Sequence, residues 1–135
     1  MRVLFIASFA PIVRDPAAAR RLYVDTLGLS FEGAVGDYVF TDKLDGARHF
    51  GVWPLAEAAE ACFGMKTWPS DIPAPQASLE LEVEDVPAAA RELEARGYKL
   101  LHGARTEPWK QIIARLLTPE GLLLGVCYTP WWHTA

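Results

Sequence analysis

Catalysis and metal binding need donor side chains at defined spacings, and this sequence offers few. His49, His102 and His133 share no short ligand spacing with one another, and neither Cys62 nor Cys127 has a CxxC partner. Ser8 and Ser78 carry potential nucleophiles, but no histidine lies near either in sequence to act as base. Glu80 is the carboxylate best placed for work. The run "SLELEV" alternates, so Ser78, Glu80 and Glu82 share one strand face while Leu79, Leu81 and Val83 share the other. A carboxylate on such a face can serve as a general base, meet a polar ligand group or pair with Arg48. Without a metal, a polar contact is the favoured reading. Trp109, in "TEPWKQ", supplies a flat aromatic face suited to planar or cationic ligands. No glycine-rich phosphate loop is present.

The elements that must position these groups occur twice. "SFAPIVRDPAAARRLYVDTLG" begins at Ser8 and "SLELEVEDVPAAARELEARG" at Ser78. In each, an alternating run ends at an aspartate suited to cap a helix, Asp15 or Asp85. A proline follows in the first turn, and the alanine-rich helices are expected over 16–27 and 86–96. Gly28 and Gly97 supply the left-handed ends. Strands are then expected near 30–35, 37–42 and 47–53, and again near 98–103, 111–117 and 122–128. The turns "LDGA" and "TPEG" serve the final hairpins. Each half therefore reads β-α-β-β-β. The fold class is α+β: two βαβββ repeats forming a curved mixed sheet, with helices on the outer face and a concave cleft on the other. The chain is one domain, with repeat one at about 1–53, a linker at about 54–76 and repeat two at about 77–135. The linker holds a short helical stretch, "LAEAAEACFG", and the proline-rich "WPSDIPAPQA" with Trp68.

This arrangement, carried by "VRDPAAARRLYVDTLGLSF", "LEVEDVPAAARELEARGY" and "LTPEGLLLGVCY", resembles the vicinal oxygen chelate superfamily of glyoxalases, extradiol dioxygenases and bleomycin resistance proteins. The resemblance covers essentially the whole chain. It implies four metal-ligand positions: a histidine opening the first strand of each half and a glutamate on the last strand of each. Counting from the capping aspartates and the turn glycines puts these at Ser8, Phe50, Ser78 and Gly125. None is a ligand, so no metal and no cofactor are expected. Pro108 and Trp109 match a pair that lines the drug groove in bleomycin-resistance-like members, although Lys110 stands where that pattern has glycine. The resemblance thus implies a metal-free protein that sequesters a partly aromatic compound, such as an antibiotic. The ligand-contact set would be Trp109, Phe50, Ser8, Ser78, Glu80, Gly125, Phe40 and Trp68, with Phe50 opposite Trp109. The alternatives are a metal-dependent lyase or dioxygenase with a shifted ligand set, and a metal-free isomerase or cyclase using Glu80. A one-residue shift would put His49 at the fourth position without restoring the other three, and alternation with Phe50 points His49 away from the cleft. A homodimer is expected, with the seam near Trp68 and the terminal "TPWWHTA".

Bulk properties agree. Thirteen basic against seventeen acidic residues give a net charge of −4, with no basic stripe for nucleic acid. No apolar run approaches a membrane span and no export signal is read, so a cytoplasmic location with both cysteines as buried thiols is expected.

Overall fold

A computed structural model describes residues 1–33 and 37–133 of the chain. Strand β1 (Val3–Val13) leads into helix α1 (Pro16–Arg20), which continues as a π-helix over Arg21–Thr26. Then come β2 (Glu32–Gly33), β3 (Val39–Thr41), β4 (Phe50–Pro54) and the linker helix α2 (Leu55–Phe63). The second repeat holds β5 (Ala77–Val83), α3 (Val86–Ala95), β6 (Leu100–Thr106), β7 (Ile112–Leu117) and β8 (Leu123–Tyr128), followed by a 3-10 turn at Pro130–Trp132. The expected strand at 30–35 is present as β2, and positions 34 and 35 lie outside the described residues.

Both helix starts follow from their aspartates. Asp15 Oδ1 accepts from the backbone N–H of Ala17 and Ala18 at 3.0 and 3.1 Å, and Asp85 Oδ1 from Ala88 at 2.9 Å. Such a cap is worth about 1 kcal/mol. The first helix then widens. Leu27 N–H reaches the Leu22 carbonyl at 2.9 Å, and the Thr26 hydroxyl donates to the Arg21 carbonyl at 2.8 Å, both five residues back.

All eight strands form one sheet in the order β2-β3-β4-β1-β5-β8-β7-β6. Within each repeat the first strand pairs in parallel with the last, β1 with β4 and β5 with β8. The repeats join through antiparallel pairing of β1 with β5, where Ser8 meets Glu80 and Phe9 meets Leu79. On the outer face α3 packs small side chains, Ala89 and Ala90, onto Val83, Ala114 and Val126. Helix α2 goes to the inner face instead. There Ala59, Cys62 and Trp68 close over Leu123, Ile12 and Trp53. At the other end of that face Trp132 covers Phe5, Ala7, Ile113 and Cys127. The concave side is therefore roofed at both ends.

Two hairpins are built alike. Gly121 N–H donates to Thr118 and Thr118 N–H to Leu122, joining β7 to β8. Lys110 N–H donates to Glu107 and Glu107 N–H to Gln111, joining β6 to β7. Each carries proline at its second position and a left-handed residue at its fourth, the pattern of a turn closed by a bulge. In the first case that residue is Gly121, with φ 92°; in the second it is Lys110, with φ 80°, the one positive-φ non-glycine among the described residues. The family-like turn is kept without its glycine. Lys110→Gly should therefore stabilise the fold by about 1 kcal/mol, since a side chain in this region is strained. Urea denaturation checks this, and an unchanged or lower midpoint would refute it.

Candidate functional site

Register alone lines up a row across the inner face. His102 pairs with Arg115, Arg115 with Gly125, Gly125 with Glu80, and Glu80 with Ser8. In the other repeat Phe40 pairs with Gly51. Strand alternation brings His49 and Trp53 to the same side as Gly51.

The first repeat supplies an aromatic wall. The Phe40 and His49 rings stack at 5.0 Å, the Tyr38 and Phe40 rings at 5.9 Å, and Tyr38 meets Trp53 edge-on at 6.4 Å. Three of its side chains form a relay. The Tyr38 hydroxyl donates to His49 Nε2 at 2.5 Å, and His49 Nδ1 donates to Asp42 Oδ1 at 2.6 Å. Burial, and then the nearby Glu80 carboxylate, push the Tyr38 phenol far above its ordinary range, so it stays a proton donor.

The second repeat supplies a polar wall. The Trp109 indole N–H donates to Gln111 Oε1 at 3.0 Å, and the Gln111 amide donates to Glu80 Oε1 at 3.3 Å and to Thr129 at 3.0 Å. Beneath them Glu82 is wholly buried. It accepts from the Thr129 N–H at 2.6 Å, the Thr129 hydroxyl at 2.9 Å, the Cys127 thiol at 3.4 Å and His133 at 2.7 Å. Arg115, also buried, donates to Glu107 at 3.0 Å and to His102 Nε2 at 3.1 Å, and its guanidinium lies 5.6 Å from the Trp53 ring.

The expected contact residues are distributed as follows. Ser8, Ser78, Glu80, Gly125 and Phe40 lie on the inner face, and Trp109 sits half-exposed at its rim. Phe50 does not line the cleft. It stacks on Phe9 and Phe31 and meets Tyr23 of the first helix, all on the outer face. Counting forward from the turn glycine misplaced it, because the first repeat has a longer turn. Phe9 pairs with Phe50 as Leu79 pairs with Leu124, so the counterpart of Gly125 is Gly51. His49 accordingly faces inward. Trp68 is buried against Phe63, with its indole N–H on the Ile72 carbonyl at 3.0 Å. It borders a separate depression of about 550 Å³ with Arg14, Leu55, Lys66 and Ile72. His133 is held by Glu82 and stacks on Tyr128 at 4.3 Å. Arg48 lies over Phe5 at 4.0 Å rather than on Glu80.

The four ligand positions that the resemblance implies thus fall, by strand pairing, at Ser8, Gly51, Ser78 and Gly125. A side chain at Gly51 would strike the Tyr38 ring, and one at Gly125 would strike Ile113. Each glycine accommodates a neighbour leaning across from the adjacent strand. Two hydroxyls and two glycines do not fit a divalent ion. Among the described residues no group of three His, Cys, Asp or Glu side chains is arranged to hold a metal ion instead.

The sequence profile of the Glyoxalase/Bleomycin resistance protein/Dioxygenase superfamily matches residues 6–126. No curated protein matches the chain. Among solved structures, methylmalonyl-CoA epimerase from Mycobacterium tuberculosis is similar, with 21% identity, 98% of this chain and 93% of that one covered, and a TM-score of 0.60. A glyoxalase/bleomycin resistance protein/dioxygenase superfamily member from Vibrio splendidus shares 16% identity over 93% of this chain and 99% of its own, with a TM-score of 0.59. Methylmalonyl-CoA epimerase from Streptomyces coelicolor, in complex with 2-nitronate-propionyl-CoA, shares 13% over 95% and 99%, with a TM-score of 0.59. At these identities the shared property is the fold, and the profile match extends over most of the sequence; the chain belongs to the glyoxalase/bleomycin resistance protein/dioxygenase superfamily.

Proposed function

We propose that the protein binds a small, partly aromatic molecule on its inner face without a resident metal, and acts by holding it, as a cytoplasmic sequestering protein would. An antibiotic is one member of that ligand class. The observation that carries this reading is the pairing of an aromatic wall, Tyr38, Phe40, His49 and Trp53, with the polar wall ending at Trp109, over a floor whose two carboxylate-ligand positions are glycine. Flat ligands gain stacking area there, and Glu80 with Ser8 and Ser78 offers polar contacts. A ligand-library thermal-shift screen tests it, because a ligand of the native state raises the melting temperature. For a hit, Trp109→Ala should weaken binding by about 1–3 kcal/mol in titration calorimetry. Equal affinities in two folded proteins would remove Trp109 from the site. Stoichiometric metal in protein purified without chelators would overturn the metal-free reading.

A second reading, proton transfer without metal, is favoured by the Asp42–His49–Tyr38 relay on the inner face that also carries Glu80. An oriented imidazole–phenol pair and one carboxylate on a shared face are the minimum for an isomerase-type step. Ligand that gains deuterium from heavy water when incubated with the protein would select it over simple holding.

Trp68 is buried within its own chain, whereas Trp131 of the terminal stretch is exposed and the outer face of β1 also exposes Val3, Ile6 and Phe9. A two-fold seam there would cover this strip. Light scattering should give twice the 14.9 kDa chain mass, and Ile6→Glu should halve it; a monomeric wild type would exclude the dimer.

A further inference from the structure

The hydrogen bonds of the second-repeat wall run in one direction, from Glu82 out to Trp109. Glu82, as a carboxylate, only accepts, and the one hydroxyl hydrogen of Thr129 is donated to it at 2.9 Å. Towards Gln111 the Thr129 oxygen can then only accept, so the Gln111 amide nitrogen must face it, at 3.0 Å. The second hydrogen of that amide goes to Glu80 Oε1 at 3.3 Å, again onto a group that only accepts. Gln111 Oε1 is left on the other side, where the Trp109 indole N–H, which only donates, meets it at 3.0 Å. A flipped amide would set its oxygen against two acceptors and its nitrogen against a donor, and all three bonds would be lost. Thr129 is 0% and Gln111 6% exposed, so little water reaches the network to replace them.

Trp109 itself is 47% exposed at the rim. An untethered indole this exposed turns among rotamers, and a ligand that stacks on it must first stop that motion. We propose that Gln111, held in one orientation by Thr129 and Glu82, is a positioning residue of the ligand site, fixing the Trp109 ring before any ligand arrives. This rests on the reading of the inner face as a ligand site with Trp109 at its rim. With the indole N–H and both amide hydrogens committed, Trp109 meets a ligand through its ring face.

Indole N–H exchange with water, followed by NMR, reads the tether without any ligand. Trp131 is the internal reference: it is 51% exposed, and only the Trp68 and Trp109 indoles have acceptors among the described residues. The Trp109 signal, identified by its loss in Trp109→Phe, should exchange about ten-fold more slowly than that of Trp131, the equivalent of one ordinary hydrogen bond. Gln111→Met keeps the length, removes the amide and should bring the two rates within about two-fold of each other. Because that variant opens a buried network and can fail to fold, Thr129→Val and Thr129→Ser are the second test, at a residue not bonded to Trp109. The valine should speed Trp109 exchange about three-fold, and the serine, which keeps the hydroxyl, should hold the wild-type rate. The binding probe is 2-naphthol or, failing it, the strongest hit of the thermal-shift screen; calorimetry should show about two- to ten-fold weaker binding to Gln111→Met than to wild type. Exchange at Trp109 as fast as at Trp131, or unmoved by Thr129→Val, would overturn the tether and leave the ligand-site reading standing. Equal affinity of the probe for wild type and folded Gln111→Met would overturn the positioning role. Absence of binding by 2-naphthol and by every compound of the library would overturn both.

Discussion

Glu82→Ala is expected to lower the unfolding free energy by about 3–5 kcal/mol, the cost of breaking a buried charged network by removing one partner. The carboxylate accepts from four donors. Thr129 N–H and hydroxyl, the Cys127 thiol and His133 all converge on it, and Glu82 is 0% exposed. The buried Thr129 N–H left without an acceptor adds a desolvation cost of about 1–3 kcal/mol. The damage should spread to the chain end, because Thr129 and His133 flank the Pro130–Trp132 turn that places Trp132 over Phe5 and Ile113. Urea denaturation gives the energy, and tryptophan fluorescence should red-shift in the native baseline as Trp132 loosens. Glu82→Gln, which keeps one acceptor, should cost less than half as much. A loss below about 1 kcal/mol for the alanine variant would mean that this network contributes little net stability.

Alkaline instability is the second large effect. Burial, together with Glu80, raises the pKa of the Tyr38 phenol, and burial with Glu80 and Glu82 raises that of the Cys127 thiol. Folded pKa values above the unfolded ones mean that the folded chain holds these protons longer. Their stabilising contribution is complete below the ordinary values, about 8.5 for the thiol and about 10 for the phenol, and falls as pH rises above them. Each group should steepen the loss by about 1.4 kcal/mol per pH unit until its folded pKa is reached. Urea midpoints between pH 8 and 11 measure the slope. Tyr38→Phe and Cys127→Ala should each remove one share. A profile as flat as that of the double variant would sink the assignment.

Much of the fold was legible because it rests on local rules. Asp15 and Asp85 announce helix starts by side-chain chemistry, Gly28 and Gly97 announce ends by their φ, and "SLELEV" announces its faces by period. The π-helical widening at Arg21–Thr26 was not legible, since it turns on one threonine hydroxyl reaching one carbonyl. The site was legible in part. Ser8, Ser78, Glu80 and Gly125 follow from alternation in β1, β5 and β8. Phe50 failed because its assignment counted turn residues instead of pairing strands, and a difference of one residue reverses the face. Arg115 carried a readable signal, a charge inside the apolar run "IIARLL". The Asp42–His49–Tyr38 relay carried none, because its members come from a turn and two strand edges that only the folded hairpin brings together.

The antiparallel seam between β1 and β5 has a kinetic consequence. Each repeat can pair its own first and last strands early, by closing one repeat-length loop. The seam must bring together positions as distant as 3 and 83. Closing such a loop is entropically demanding before any contact rewards it, and topologies dominated by distant pairings fold in milliseconds to seconds rather than microseconds. The inner face, which draws one wall from each repeat, is completed only when the seam closes. Ligand added during refolding should therefore leave the early phase unchanged and bind only with the slow one.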